Sequence, residues 1–107
     1  MNEKEEILEI LKEVEKTLQE VFFSGFNSPG DFTLNEFSRL SLLMESCGMS
    51  YGAKKLKSIH DKLSIKRHSF DFDYEETVRN YSELNEYCLI CSKKLHMLNL
   101  KDKIAKL

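Results

Sequence analysis

Tryptophan is absent from this sequence, proline occurs once and glycine only four times. A turn-rich β fold draws on many more chain-reversing residues, so the scarcity favours helices with short connections and leaves a sheet as the minor alternative. No apolar run approaches the roughly 18 residues that span a membrane; the longest, Tyr87 to Cys91, has only the length of a helix-core segment. The N-terminus, Met1-Asn2-Glu3-Lys4-Glu5-Glu6, is acidic and lacks the apolar stretch of a secretory signal. A cytoplasmic protein without membrane contact is the expectation. Three cysteines, an odd number beside no export signal, predict reduced thiols in place of a disulfide framework. A formal net charge of −2 gives no long-range positive field, so no nucleic-acid partner is expected, although a local basic patch stays open. A glycine-rich phosphate loop is missing too, since Gly48 and Gly52 lack the following Lys-Ser/Thr.

What the chain does contain is helical periodicity. From Glu3 to Phe23 the apolar residues Ile7, Leu8, Leu11, Val14, Leu18, Val21 and Phe22 recur at three- and four-residue steps, which predicts an amphipathic helix. Its acidic first turns complement the helix dipole, but Glu5/Glu9 and Glu9/Glu13 are like-charged at i,i+4, so packing rather than surface pairing must hold it. The stretch Ser24 to Asp31 collects Gly25, Pro29 and Gly30 and predicts a loop. A second helix is expected over Thr33–Cys47, where Thr33 and Glu36 have capping-box spacing and Gly48 can supply a left-handed cap. Its stripe is Phe37, Leu40, Met44 and Cys47. A third is expected over Ser50–Leu63, with Ser50 as N-cap and Ala53, Leu56, Ile59 and Leu63 on one face.

Lys66 to Phe72 breaks the pattern as a loop or one extended turn, and Asp71 or Asp73 is placed to cap a last helix over Asp73–Leu98. There Tyr74, Tyr81, Leu84, Cys88, Cys91, Leu95 and Leu98 follow a heptad a/d repeat, the signature of helix-on-helix packing. From Leu100 the apolar stripe shifts, so the tail either continues the helix with a different face or frays. Four apolar stripes joined by short links are buried most simply as an antiparallel bundle. The expectation is one all-α domain over residues 1–107, an antiparallel four-helix bundle.

Cys88-Leu89-Ile90-Cys91 is a C-x-x-C with His96 five residues further on, the raw material of a zinc or redox centre. Both thiols fall in mid-helix, away from the N-terminal dipole that activates redox cysteines, and no second C-x-x-C or H-x-x-x-H completes a tetrahedral set. The sequence therefore places Cys88 and Cys91 in the core as small hydrophobes and predicts neither metal nor cofactor. Metal or thiol chemistry at this motif is the competing function class. Cys47 reads as core as well. His60, His68 and His96 are too scattered for a metal cluster and read as surface residues. Asp71, Asp73, Glu75 and Glu76 lack the glycine and distal glutamate of a calcium loop and read as helix capping.

Charge is sorted along the chain. Through Glu20 there are seven acids against three lysines, whereas from Lys54 to Arg67 there are six basic residues against Asp61 alone. One reading makes the acidic and basic helices neighbours with solvated outer faces. The other makes the basic stretch a docking face for an acidic partner.

The segment from Leu42 to Leu63 resembles the central helices of histidine-phosphotransfer domains, whose pattern is H-x-L-K-G-x-x-x-x-x-G-A-x-x-L with a later leucine. Gly52, Ala53, Leu56 and Leu63 match it, and Met44 replaces its first leucine. Leu42 stands where the phosphoaccepting histidine would be, Glu45 where the lysine and Ser46 where the glycine. The resemblance implies a four-helix bundle without phosphotransfer, because leucine offers no nucleophilic nitrogen. It also implies docking to a receiver domain or kinase. The expected function is a non-enzymatic interaction or adaptor module binding a protein with an acidic face, through Phe37, Leu42, Lys54, Lys55 and Lys57. Homo-oligomerisation stays open.

Overall fold

The computed structural model describes residues 3–24, 30–66 and 74–106, and every element among them is an α-helix. They are α1 (Glu3–Ser24), α2 (Asp31–Ser46), α3 (Ser50–Lys66) and α4 (Tyr74–Ala105). The chain is all-α, as the periodicity predicts. Of the predicted Lys66–Phe72 break, Lys66 is the last residue of α3, and the rest, with the caps Asp71 and Asp73 and most of the Ser24–Asp31 loop, lies outside the described residues.

Helix starts differ from expectation in informative ways. α2 begins two residues before Thr33, at Asp31, after an extended Gly30 that has no side chain to accept a capping bond. The Leu34 amide closes the first turn on the Gly30 carbonyl at 3.1 Å, so Thr33 lies inside the helix and no capping box forms there. Glu36 has another partner: both its carboxylate oxygens accept from Arg39, at 3.3 and 2.7 Å. That guanidinium holds the Glu36 carboxyl below the usual carboxylate range. Ser50 likewise lies in the first turn of α3 rather than before it, and its hydroxyl donates to Glu45 at 3.3 Å.

The α2–α3 turn follows the prediction. Gly48 has φ +82, and two bonds close the turn, from the Met49 amide to the Met44 carbonyl at 2.8 Å and from the Gly48 amide to the Glu45 carbonyl at 3.1 Å. This is the Schellman arrangement, completed by the burial of Met44 and Met49 on either side of it. A Cβ at Gly48 would meet nothing within 4 Å, so only the backbone resists one. Gly48→Ala is therefore expected to lower stability by about 1–2 kcal/mol, the cost of a left-handed alanine. Urea denaturation checks this, and an unchanged midpoint would contradict it.

α1 packs on α2 and α4, and α3 packs on the same two helices, while α1 and α3 lie across the core from each other with no close backbone approach among the described residues. At one end the Tyr81 hydroxyl of α4 donates to the Leu18 carbonyl of α1 at 3.1 Å. Towards the other, Lys4 of α1 meets Asp102 of α4 at 2.7 Å. The core is filled by the predicted stripes: Leu11, Val14 and Leu18 from α1, Phe37, Leu40 and Met44 from α2, Leu56, Ile59 and Leu63 from α3, and Leu84 and Cys88 from α4, all at 1% exposure or less. Each such side chain contributes about 1.5–3 kcal/mol of burial. Gly52 is buried as well, and a Cβ there would run into Met44 and come within 2.7 Å of the Tyr87 ring. Its lack of a side chain lets α3 approach both neighbours.

Three members of the predicted stripes are not core, the first being Leu8 of α1, which is only partly buried. Phe22 is 62% exposed and stacks on Tyr81, with ring centroids 6.1 Å apart, and Leu98 is 43% exposed. On α4 the missing apolar positions are taken by polar Thr77 and Asn80, both buried. α4 also runs about two turns past the predicted Leu98, to Ala105. At 32 residues against 16 to 22 for the others, it outruns them, and the molecule measures 59 × 22 × 22 Å. No helix among the described residues is long and apolar enough to cross a membrane.

Candidate interaction surface

With Phe37, Leu40 and Met44 turned into the core, α2 presents Ser38, Ser41 and Leu42 on its other side. With Ala53, Leu56 and Ile59 buried, α3 presents Lys57, His60 and Asp61. These six residues line a shallow groove of about 220 Å³ between the two helices. Its walls are fixed at one end by the Schellman turn and along their length by a bond from the Ser41 hydroxyl to the Ala53 carbonyl at 3.1 Å. His60 Nδ1 lies 3.0 Å from the Asp61 carboxylate.

The five residues expected to meet a partner are divided. Leu42 is 73% exposed at this groove, and Lys57 lies beside it. Lys54, one turn before Lys57, is exposed too. Phe37 is different: it has no exposed surface and belongs to the core, because it shares the α2 stripe with Leu40 and Met44. A partner cannot reach it without unfolding the domain. Lys55 turns towards α4, where it forms an ion pair with Glu83, donates to the Asn80 side-chain carbonyl at 3.3 Å and lies 5.5 Å from the Tyr51 ring centroid. The Glu83 carboxyl is held below its usual range chiefly by that lysine. Lys62 is also engaged, with Glu76 of α4 at 3.0 Å. Two lysines of α3, Lys55 and Lys62, are thus compensated by α4, and α1 does not lie beside α3. The expectation that the acidic and basic helices are neighbours is corrected accordingly.

Ser38, His60 and Asp61 were not singled out as a group by sequence reasoning. Their signal is present only in retrospect, as positions three and four residues from Leu42 and Lys57 on helices whose opposite faces are apolar.

Of the three thiols read as core, only Cys88 is buried, while Cys91 and Cys47 pack against the core from its edge. Cys88 is fully buried, and burial pushes its thiol up to about 12, with the charge of Glu15 and the neighbouring Cys91 adding to the effect. Cys91 and Cys47 are half-buried. Burial, together with a hydrogen bond to Cys91, pushes the Tyr87 hydroxyl up to about 12. A thiol held neutral in this way is a poor nucleophile and a poor metal ligand at neutral pH. Among the described residues no three His, Cys, Asp or Glu side chains are grouped so as to hold a metal ion. His96 is exposed, on the far part of α4.

No family model matches this chain, and no curated protein or solved structure is detectably similar to it.

Proposed function

We propose that the chain is an antiparallel four-helix bundle of the histidine-phosphotransfer type which has lost phosphotransfer and acts as a non-enzymatic docking module for a protein with an acidic face. The observation that carries this is Leu42, 73% exposed on the α2–α3 groove beside Lys57. It occupies the position that matches the family's phosphoacceptor, and where chemistry would otherwise occur it supplies an apolar anchor with Lys57 and Asp61 on the same groove and Lys54 one turn away. The burial pattern supports the resemblance. Met44, Ala53, Leu56 and Leu63 are core, Gly52 lies at a close helix approach, and Glu45 and Ser46 are exposed near Leu42. The α3–α4 contacts support the antiparallel arrangement, since the end of α3 meets the start of α4 at Lys62 and Glu76 while the start of α3 meets a later part of α4 at Tyr51 and Tyr87.

The docking face is drawn with Leu42, Lys54 and Lys57, without Phe37 or Lys55. A titration with a receiver domain, followed by amide resonances, tests it. Shifts are expected around Leu42 and Lys57. Lys54→Glu with Lys57→Glu is expected to weaken binding about tenfold, from two exposed pairs of about 0.5–1 kcal/mol each, and added salt is expected to weaken it further. Equal affinity in the reversed variant rules out this face. A labelled histidine after incubation with a phosphodonor kinase overturns the non-enzymatic assignment.

A further inference from the structure

Beyond the α2–α3 groove, α4 carries a largely exposed apolar stripe, which starts at Ile90 beside Tyr51 of α3 and runs on towards the end of the helix. Ile90, Met97 and Ile104 are spaced seven apart with Leu100 between them, and the four are 54–61% exposed. This is a heptad a/d pattern, and it lies opposite the core-facing stripe of Leu84, Cys88 and Leu95. Lys94 and Lys101, also seven apart, flank it on one side and Lys103 on the other, with Lys93 set into it. All four lysines are exposed, and none forms an ion pair among the described residues. The far part of α4 is therefore a basic amphipathic helix standing clear of α2 and α3.

A surface of matching chemistry exists on the same chain. Between α1 and the end of α2 runs a groove of about 340 Å³ with Ile10 and Leu43 on its floor. Glu6, Glu9 and Glu13 rim it along one face of α1. Glu13 is held by Arg39 at 2.9 Å, while Glu6 and Glu9 have no ion-pair partner among the described residues. An apolar floor with an acidic rim is the complement of an apolar stripe with basic flanks. Within one molecule, α4 already packs on α1 through its other face, as the Lys4–Asp102 contact fixes, so the stripe points away from its own groove.

We infer that a second copy of the chain supplies the partner: the Met97–Ile104 face of α4 in one molecule docks into the Glu6/Glu9 groove of the next. Such a contact is heterologous, so it builds rings or open chains rather than a closed two-fold dimer. A single helix in a shallow groove lies at the low end of stable interfaces, which makes the association weak and concentration-dependent. Charge complementarity makes it salt-sensitive.

Sedimentation of the whole chain tests this. The weight-average mass is expected to rise with concentration and to fall back to that of a monomer at high salt. A variant with Lys93→Glu, Lys94→Glu and Lys101→Glu, and another with Glu6→Lys and Glu9→Lys, are each expected to stay monomeric while keeping the helical circular dichroism signal. Mixing the two variants restores opposite charges across the contact, and association is expected to return. A wild-type monomer at every soluble concentration overturns the inference, as does association that survives either reversal or a mixture that stays monomeric. Binding of the α4 face to phosphatidylserine vesicles without self-association would assign it to a lipid surface instead.

Discussion

Phe37→Ala is expected to lower the folding free energy by about 3–5 kcal/mol, the usual loss when a fully buried aromatic ring is cut back to a methyl. A domain of this kind has only about 5–15 kcal/mol in total, so the variant should melt far earlier than the parent. Phe37 has no exposed surface and sits in α2 between Leu34 and Leu40 on the core-facing stripe. Leu42→Ala, five residues on, removes a side chain that is 73% exposed. It should leave stability within about 0.5 kcal/mol of the parent while weakening the docking proposed for the α2–α3 groove. Paired urea titrations separate the two roles. A Phe37→Ala protein as stable as the parent would mean that the ring faces a partner after all.

Alkaline pH should be as damaging. Burial pushes the Cys88 thiol and the Tyr87 hydroxyl each up to about 12, so the fold holds both in their neutral forms. In the unfolded chain they ionise at ordinary values of about 8.5 and 10. The folded-state values are raised, so the stability these groups contribute is fully present below about pH 8.5. It is lost as pH climbs through the window up to about 12. Each proton released on unfolding removes about 1.4 kcal/mol per pH unit. Helical signal followed from pH 8 upward should therefore show a steep loss that is shallower between pH 9 and 10 in Cys88→Ala. Stability that stays flat across the window would place Cys88 in contact with water.

The helices were legible because an apolar residue every three or four positions puts one continuous stripe on a helix and on no other regular backbone, and α1 and the Gly48 turn illustrate how far that carries. Gly48 sits one residue past an apolar stripe, and only a left-handed residue lets Met49 fold back against Met44. What depends on a partner distant in sequence was not legible. The spacing of Thr33 and Glu36 suits a capping box, but Arg39 and Gly30 draw the local bonding elsewhere. Lys54, Lys55 and Lys57 look alike in the sequence, yet only Lys55 has Glu83 within reach across the α3–α4 seam. Phe37 reads both as a member of the α2 apolar stripe and as a docking residue, and its burial beside Leu40 and Met44 shows that the stripe is the reading that holds. Only the approach of the other helices decides between them. Burial of Thr77 and Asn80 escaped the heptad reading for the same reason, since a polar side chain enters a core once a neighbouring helix satisfies it.

Asn80 does more than fill space between α4 and α3. Its amide donates to the Ser58 hydroxyl at 3.0 Å, and its carbonyl accepts from Lys55. Lys55–Glu83 and Lys62–Glu76 lie along the same seam. A seam of leucines alone would let two helices slide by a turn, about 5.4 Å, with little change in energy, since one apolar hole resembles the next. Here the same slide would strand a buried amide, at about 1–3 kcal/mol, and part both ion pairs together. The polar residues that dilute the core of α4 thereby index it against α3 like a notch on a key, and the two helices have one alignment in place of several nearly equal ones.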